Sequence, residues 1–168
     1  MCSPHDYGIL CRNCEERSAV SKIVLCNRVA TLVFSVVAVV SAIFFTSALR
    51  VAIVAVSLVL FAAGVATFLL GYFAAVQRSR EEEIAVTQLF FLAGDVAPKN
   101  VRLAMWYCLA AQCVVGLGVA LARPSTDGKA GSVMAFAVMV PMLGIGLNGL
   151  WAGKFGTFGP RQLKSAPE

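Results

Sequence analysis

The chain has 168 residues, of which 59% are hydrophobic and 14% charged, with a formal net charge of +5. A mean hydropathy of +0.81 argues against an ordinary water-soluble domain, which must cover its core with polar side chains. The basic residues cluster at the ends of long apolar runs, so the charge reads as a topology signal and not as a nucleic-acid footprint.

Residues 1–28, "MCSPHDYGILCRNCEERSAVSKIVLCNR", are the polar start and contain four of the six cysteines. Cys2, His5, Cys11 and Cys14 have the residue types and close spacing of a tetrahedral zinc set. The segment lacks a second C-x-x-C and has little apolar content to fold around a metal, so the favoured expectation is no cofactor, with zinc as the alternative. If this side is cytoplasmic, reduced thiols are expected over disulfides.

The first apolar block runs from Val29 to Val76 and is broken only by Arg50. As one helix its 48 residues would reach roughly 72 Å, more than twice a ~30 Å hydrocarbon layer. The block must therefore turn back, and "FTSALR" is the expected place. This gives spans at about 29–49 and 51–76. The first run is too long for a signal-peptide core and is followed at once by a second, so no cleavable leader is expected.

The segment that follows contains "SREEEIAVTQLFFLAG". Ser79 with Glu82 suggests a capping box, and Glu81, Glu82 and Glu83 suit a helix N-terminus. Val86, Leu89, Phe90 and Ala93 fall on one helical face. The spacing predicts a short helix over about 80–93, lying on the membrane surface or against a partner. Two further spans follow at about 103–122 and 133–153, joined by a turn with Pro124 and Asp127-Gly128. The expected fold is thus an all-α integral membrane protein, with four transmembrane helices forming two antiparallel hairpins plus an interfacial helix.

Eleven Lys and Arg residues fall on the side of the two termini and the 77–102 loop, against three on the other side. This predicts a multi-pass protein of the plasma (inner) membrane with residues 1–28 and the 154–168 tail in the cytoplasm.

No Asp, Glu, Lys, Arg or His lies between the expected span ends. Proton relays, voltage sensing and intramembrane acid–base catalysis need such groups, so an enzyme is not expected. His5 is the only histidine, which leaves no haem ligand pair within the membrane. Cys108 and Cys113 read as small apolar packers.

The stretch "VPMLGIGLNGLWAGKFGTFGP" is glycine-rich, but no strand precedes it to make a phosphate loop. Close helix packing explains it better. Gly146, Gly149 and Gly153 recur at helical spacing, and Ser57, Gly64 and Gly71 repeat every seven residues. Gln112 and Gly116 add a polar and a small position to the third span. Gln112 and Asn148 should face protein, at different depths. Pro141 is expected to leave the Ala137 carbonyl unpaired and to kink the last span. Trp151, Phe155 and Phe158 read as interfacial anchors. These small residues are expected either to pack the four helices among themselves or, on one face, to receive another integral membrane protein.

The C-terminal third, through Ala135-Phe136, Val140-Pro141-Met142, Gly149-Leu150-Trp151 and Phe158-Gly159-Pro160-Arg161, resembles small multi-span membrane proteins of actinobacteria. It is most similar to a family of accessory subunits of the cytochrome bcc–oxidase respiratory supercomplex. The resemblance covers about 40 residues and implies a non-catalytic accessory or assembly subunit in contact with lipid and with larger membrane proteins. Two other expectations stand beside it: a small oligomeric transporter or channel around Gln112 and Asn148, and a metal or thiol sensor using residues 1–28.

Overall fold

The computed structural model describes residues 4–126 and 129–160, with side chains described over 19–125 and 131–160. In chain order the elements are α1 (Pro4–Phe44), α2 (Ser47–Arg78), β1 (Glu82–Glu83), α3 (Val86–Phe91), α4 (Lys99–Ala122), β2 (Ser125–Thr126) and β3 (Lys129–Ala130). A 3-10 helix (Val133–Met139), α5 (Pro141–Phe155) and β4 (Gly159–Pro160) complete them. The fold is all-α. Among the described residues four helical segments are long and apolar enough to cross a membrane: Ala19–Phe44, Ser47–Arg78, Lys99–Ala122 and Val133–Phe155.

α1 continues through the start of the apolar run at Val29 without a break and ends at Phe44. Its inward stripe explains why. Val20, Val24, Asn27, Thr31, Phe34, Ala38 and Ser41 follow alternating steps of four and three, and all seven pack inward or are buried. Such a 3.5-residue repeat keeps one seam facing its neighbours along a supercoiled pair. Lys22 and Arg28 lie off this seam and are exposed, so they do not interrupt it. The turn falls at Phe45 and Thr46, with Phe45 at φ 43°. Arg50 lies in the first turn of α2, its guanidinium 4.4 Å from the centre of the Phe45 ring.

The most closely packed pair, α2 and α5, is not joined by a short turn. α2 lies along α5 and α1 lies along α4, each pair running parallel. Gly64 faces Met142 and Leu143, and seven residues on Gly71 faces Gly149 and Leu150. On the other pair Asn27 meets Met105, Thr31 meets Gln112, and Ala42 meets Arg123. α5 is the central rod: half of its most apolar window is buried, the largest share of the four segments.

The 80–93 helix is shorter than its capping signals imply. Ser79 closes α2 instead, its hydroxyl donating to the Val76 carbonyl. Glu82 pairs with Arg78 at 2.8 Å and, with Glu83, forms a strand antiparallel to Gly159–Pro160. The helix begins only after Ala85, whose N–H is taken by the Gln88 side chain at 3.1 Å. It ends at Leu92, not Gly94. Leu92 adopts φ 52° and is fully buried, so apolar burial holds a conformation that leucine otherwise avoids. Leu89 and Phe90 point into the bundle, Ala93 is half-buried and Val86 is exposed.

Pro141 does not orphan the Ala137 carbonyl. The segment before it tightens into a 3-10 helix, and the Val140 N–H donates to Ala137 at 3.3 Å. Pro141 is then the first residue of α5, where a missing N–H costs nothing. Near the opposite turn, β2 and β3 form a small hairpin. Asp127 and Gly128 lie outside the described residues.

Candidate functional site

Polar groups inside an apolar bundle are the natural place to look for chemistry, because an unpaired amide there costs roughly 2–7 kcal/mol. The buried amide side chains fall into two places, and a third polar cluster closes one end of the bundle.

The first place is a seam between α1 and α4. Gln112 is fully buried, and its amide donates to Asn27 Oδ1 at 3.1 Å and to Thr31 Oγ1 at 2.7 Å. Thr31 in turn donates to the Asn27 carbonyl at 2.7 Å. Asn27 closes the chain with a contact to Met105 Sδ at 3.4 Å. The Gln112 Oε1 atom has no hydrogen-bond partner. It lies against Gly144, where an added Cβ would stand only 2.8 Å from it. That close approach lets the oxygen rest on a glycine Cα–H. The seam divides two apolar clusters. One holds Leu89, Phe90, Met105, Leu147 and Trp151, and the other holds Phe34, Ile53, Val119, Met134 and Val140.

The second place is Asn148, also fully buried, whose amide donates to the Phe90 carbonyl at 3.1 Å. The Phe90 ring lies over Gly149 and stacks on Phe68 with ring centres 4.4 Å apart. One turn of α5 thus fixes α3 by an amide bond and an aromatic face together. Gln112 and Asn148 do not bond each other.

The third cluster is centred on Arg78. Its guanidinium donates to the carbonyls of Gly153 at 3.3 Å and Gly156 at 2.9 Å, pairs with Glu82, and lies 5.2 Å from the centre of the Phe158 ring. A cation at the C-terminus of α5 satisfies carbonyls that the helix cannot.

The small residues expected as a packing or partner face are all placed inside the molecule. Gly146 and Gly153 press on α2, Gly149 on Phe90 and Gly116 on the Ala137 carbonyl. Ser57, Gly64 and Gly71 are the matching buried positions of α2. α5 therefore has no free glycine face for another protein. The face of Leu89 and Phe90 is likewise covered by α5. Trp151 is 2% exposed and belongs to the core, not to an interface. Trp106 on α4 has the interfacial character instead: it is half-exposed and its indole N–H donates to the Phe91 carbonyl at 2.9 Å.

Asn27, Thr31 and Arg78 are the contributors that hydropathy alone hides. The first lies just before the strongly apolar run and reads as a flank. Its register with Thr31, Phe34 and Ala38 is the signal that places it inside.

Cys2 lies outside the described residues, and the side chains of His5, Cys11 and Cys14 are outside the described side chains, so the zinc set falls beyond them. Among the described residues no group of three His, Cys, Asp or Glu side chains gathers to hold a metal. Cys108 is buried and Cys113 half-buried, both as free thiols. Amides, a hydroxyl and a thioether bonded to one another fasten α1 to α4. Comparison with protein-family models, curated proteins and solved structures finds no match to the chain.

Proposed function

We propose that the protein is a non-catalytic, multi-pass membrane subunit that acts by contact with a larger integral membrane complex. The observation that carries this reading is the direction of its polar groups. Asn27, Thr31, Gln112 and Asn148 all turn inward and bond within the chain. What the spans offer outward is apolar side chain: Leu32, Val36 and Ile43 on α1, and Tyr107, Val114 and Leu121 on α4. A surface of this kind meets lipid tails or the apolar flank of another membrane protein. The likeness of the C-terminal third to accessory subunits of a respiratory supercomplex supports an electron-transfer complex of the plasma membrane as that partner. The basic asymmetry of the sequence supports cytoplasmic termini.

Since α5 is enclosed, contact with the partner falls to α1, α2 and α4 in this reading. A photo-crosslinking residue at Val114 or Leu32 tests it in cells, followed by mild solubilisation and identification of the adducts. Discrete adducts with integral membrane proteins are expected. A protein that crosslinks to none and purifies as a clean monomer would overturn the proposal.

A further inference from the structure

The chain between α2 and α4 leaves one end of the bundle, goes inward and comes back. Both flanks are pinned at that end. Glu82 pairs with Arg78, the last residue of α2, and Glu83 pairs with Gly159, beyond α5. On the return, the Asp95 carbonyl accepts from the Thr157 hydroxyl and the Val96 carbonyl from the Thr157 N–H, each at 3.2 Å. Thr157 lies just past the end of α5 at Phe155. Between these flanks the chain is deeper. The Phe90 carbonyl accepts from Asn148, seven residues before Phe155 and roughly 10 Å along the helix axis. The Phe91 carbonyl accepts from the Trp106 indole, seven residues past the start of α4 at Lys99. The Phe90 ring reaches Phe68, ten residues inside Arg78. Contacts on α2, α4 and α5 agree on one depth.

Bilayer thickness gives that depth a meaning. Arg50 and Arg78 lie 28 residues apart on α2, roughly 42 Å, which matches a bilayer of ~40–45 Å with its headgroups. With both guanidiniums at headgroup level, a hydrocarbon layer of about 30 Å begins roughly 6 Å inside Arg78. The backbone at Phe90 and Phe91 lies past that boundary. The charge pattern agrees: residues 84–94 carry no charge, whereas Glu81, Glu82 and Glu83 precede them and Asp95 and Lys99 follow. Backbone that leaves a helix at such a depth is tolerated only where protein satisfies its polar groups. The carbonyls of Phe90, Phe91 and Gly94 each take a side-chain donor, from Asn148, Trp106 and Arg102 respectively.

From this geometry we infer that residues 84–94 form a re-entrant segment, inserted into the acyl region of the leaflet at this end instead of lying on its surface. Leu89 and Phe90 face the bundle, and Phe91, 39% exposed beside the half-exposed Trp106, faces acyl chains. The inference rests on the four apolar helices being membrane spans and not on any protein partner.

The full chain in vesicles of dioleoyl-phosphatidylcholine, with a benzophenone amino acid at Phe91, at Val114 or at Glu81, tests it. Val114 is the exposed reference within α4, and Glu81 is the exposed reference outside the apolar segment. After illumination, mass spectrometry counts the adducts joined through acyl carbons. Phe91 is expected to give them several-fold more often than Glu81 and at a level comparable with Val114. A yield at Phe91 no higher than at Glu81, with Val114 still labelled, would overturn the inference and leave the spans intact. Loss of acyl adducts at Val114 as well would overturn the reading of the spans, and the inference with it.

Discussion

Gly71 and Gly149 meet main chain to main chain: a Cβ added to Gly71 would fall 2.6 Å from the Leu150 nitrogen and 2.7 Å from the Gly149 carbonyl oxygen. Backbone atoms cannot swing aside as a side chain can, so any substituent here must push α2 off α5. Without a hydrophobic driving force between helices in lipid, this close approach supplies dispersion contacts that hold the pair. Gly71→Ala is expected to destabilise the bundle by about 1–3 kcal/mol, the usual cost of overpacking. Gly118→Ala is the control, because nothing lies within 4 Å of an added methyl. It should stabilise α4 by roughly 0.5–1 kcal/mol, since alanine loses less backbone freedom than glycine in a helix. Unfolding in mixed detergent micelles reads both, and equal effects at the two sites would contradict the packing described.

The seam makes a second prediction. Gln112→Leu leaves Asn27 Oδ1 without a donor, and Asn27→Leu removes one of the two acceptors of Gln112. If the two amides act as a pair, their double variant should be less damaging than the sum of the single changes. The coupling expected for interhelical hydrogen bonds in lipid is about 0.6 kcal/mol and no more than ~1.7 kcal/mol. Reversible unfolding in bicelles measures it, and strict additivity would show that the amides do not interact.

The sequence makes the number and approximate extent of the apolar helices plain because hydropathy depends on composition over a long window, and the bilayer fixes the window length. It also marks Ser57, Gly64 and Gly71 as a contact seam, through a seven-residue period that only helix–helix packing requires. Depth and neighbour are harder to read. Asn27 lies between exposed Cys26 and Arg28, and only its register with Thr31 and Phe34 reveals an inward face. The glycines of α5 point several ways, which suggests a spare face until three different neighbours, α2, Phe90 and Gln112, are found to occupy them. Ser79 and Glu82 mimic a capping box, yet each has a stronger local partner: the hydroxyl bonds to Val76 and the carboxylate to Arg78. Competing side-chain bonds of this kind are invisible to motif spacing alone.

Asn148 supplies a third test. Its amide is the bond that ties Phe90, and hence α3, to the central helix. Asn148→Leu keeps the volume and removes the donor, leaving the Phe90 carbonyl unpaired in the core. Losing a hydrogen bond of about 1–1.5 kcal/mol should cut local protection of residues 86–91 roughly tenfold, with little change elsewhere. Amide hydrogen exchange followed by mass spectrometry reports this directly. Uniform loosening of all helices would instead mean that Asn148 holds the whole bundle.

Arg78 gives the last. Its planar fork reaches two carbonyls at the end of α5 and a carboxylate at once, which a lysine ammonium on a flexible stem cannot reproduce. Arg78→Lys preserves the charge, so any effect isolates geometry from net electrostatics. The carbonyls of Gly153 and Gly156 would lose the fork, and the β1–β4 pair, only two residues long on each strand, would lose its anchor through Glu82. Residues 156–160 should then become several-fold more susceptible to limited proteolysis, while the spans keep their unfolding midpoint because the α2–α5 contact lies deeper. Arg78→Gln should expose the same segment at least as strongly. If lysine restored full protection and glutamine did not, charge at the helix terminus alone would be sufficient, and the bidentate contact would be incidental.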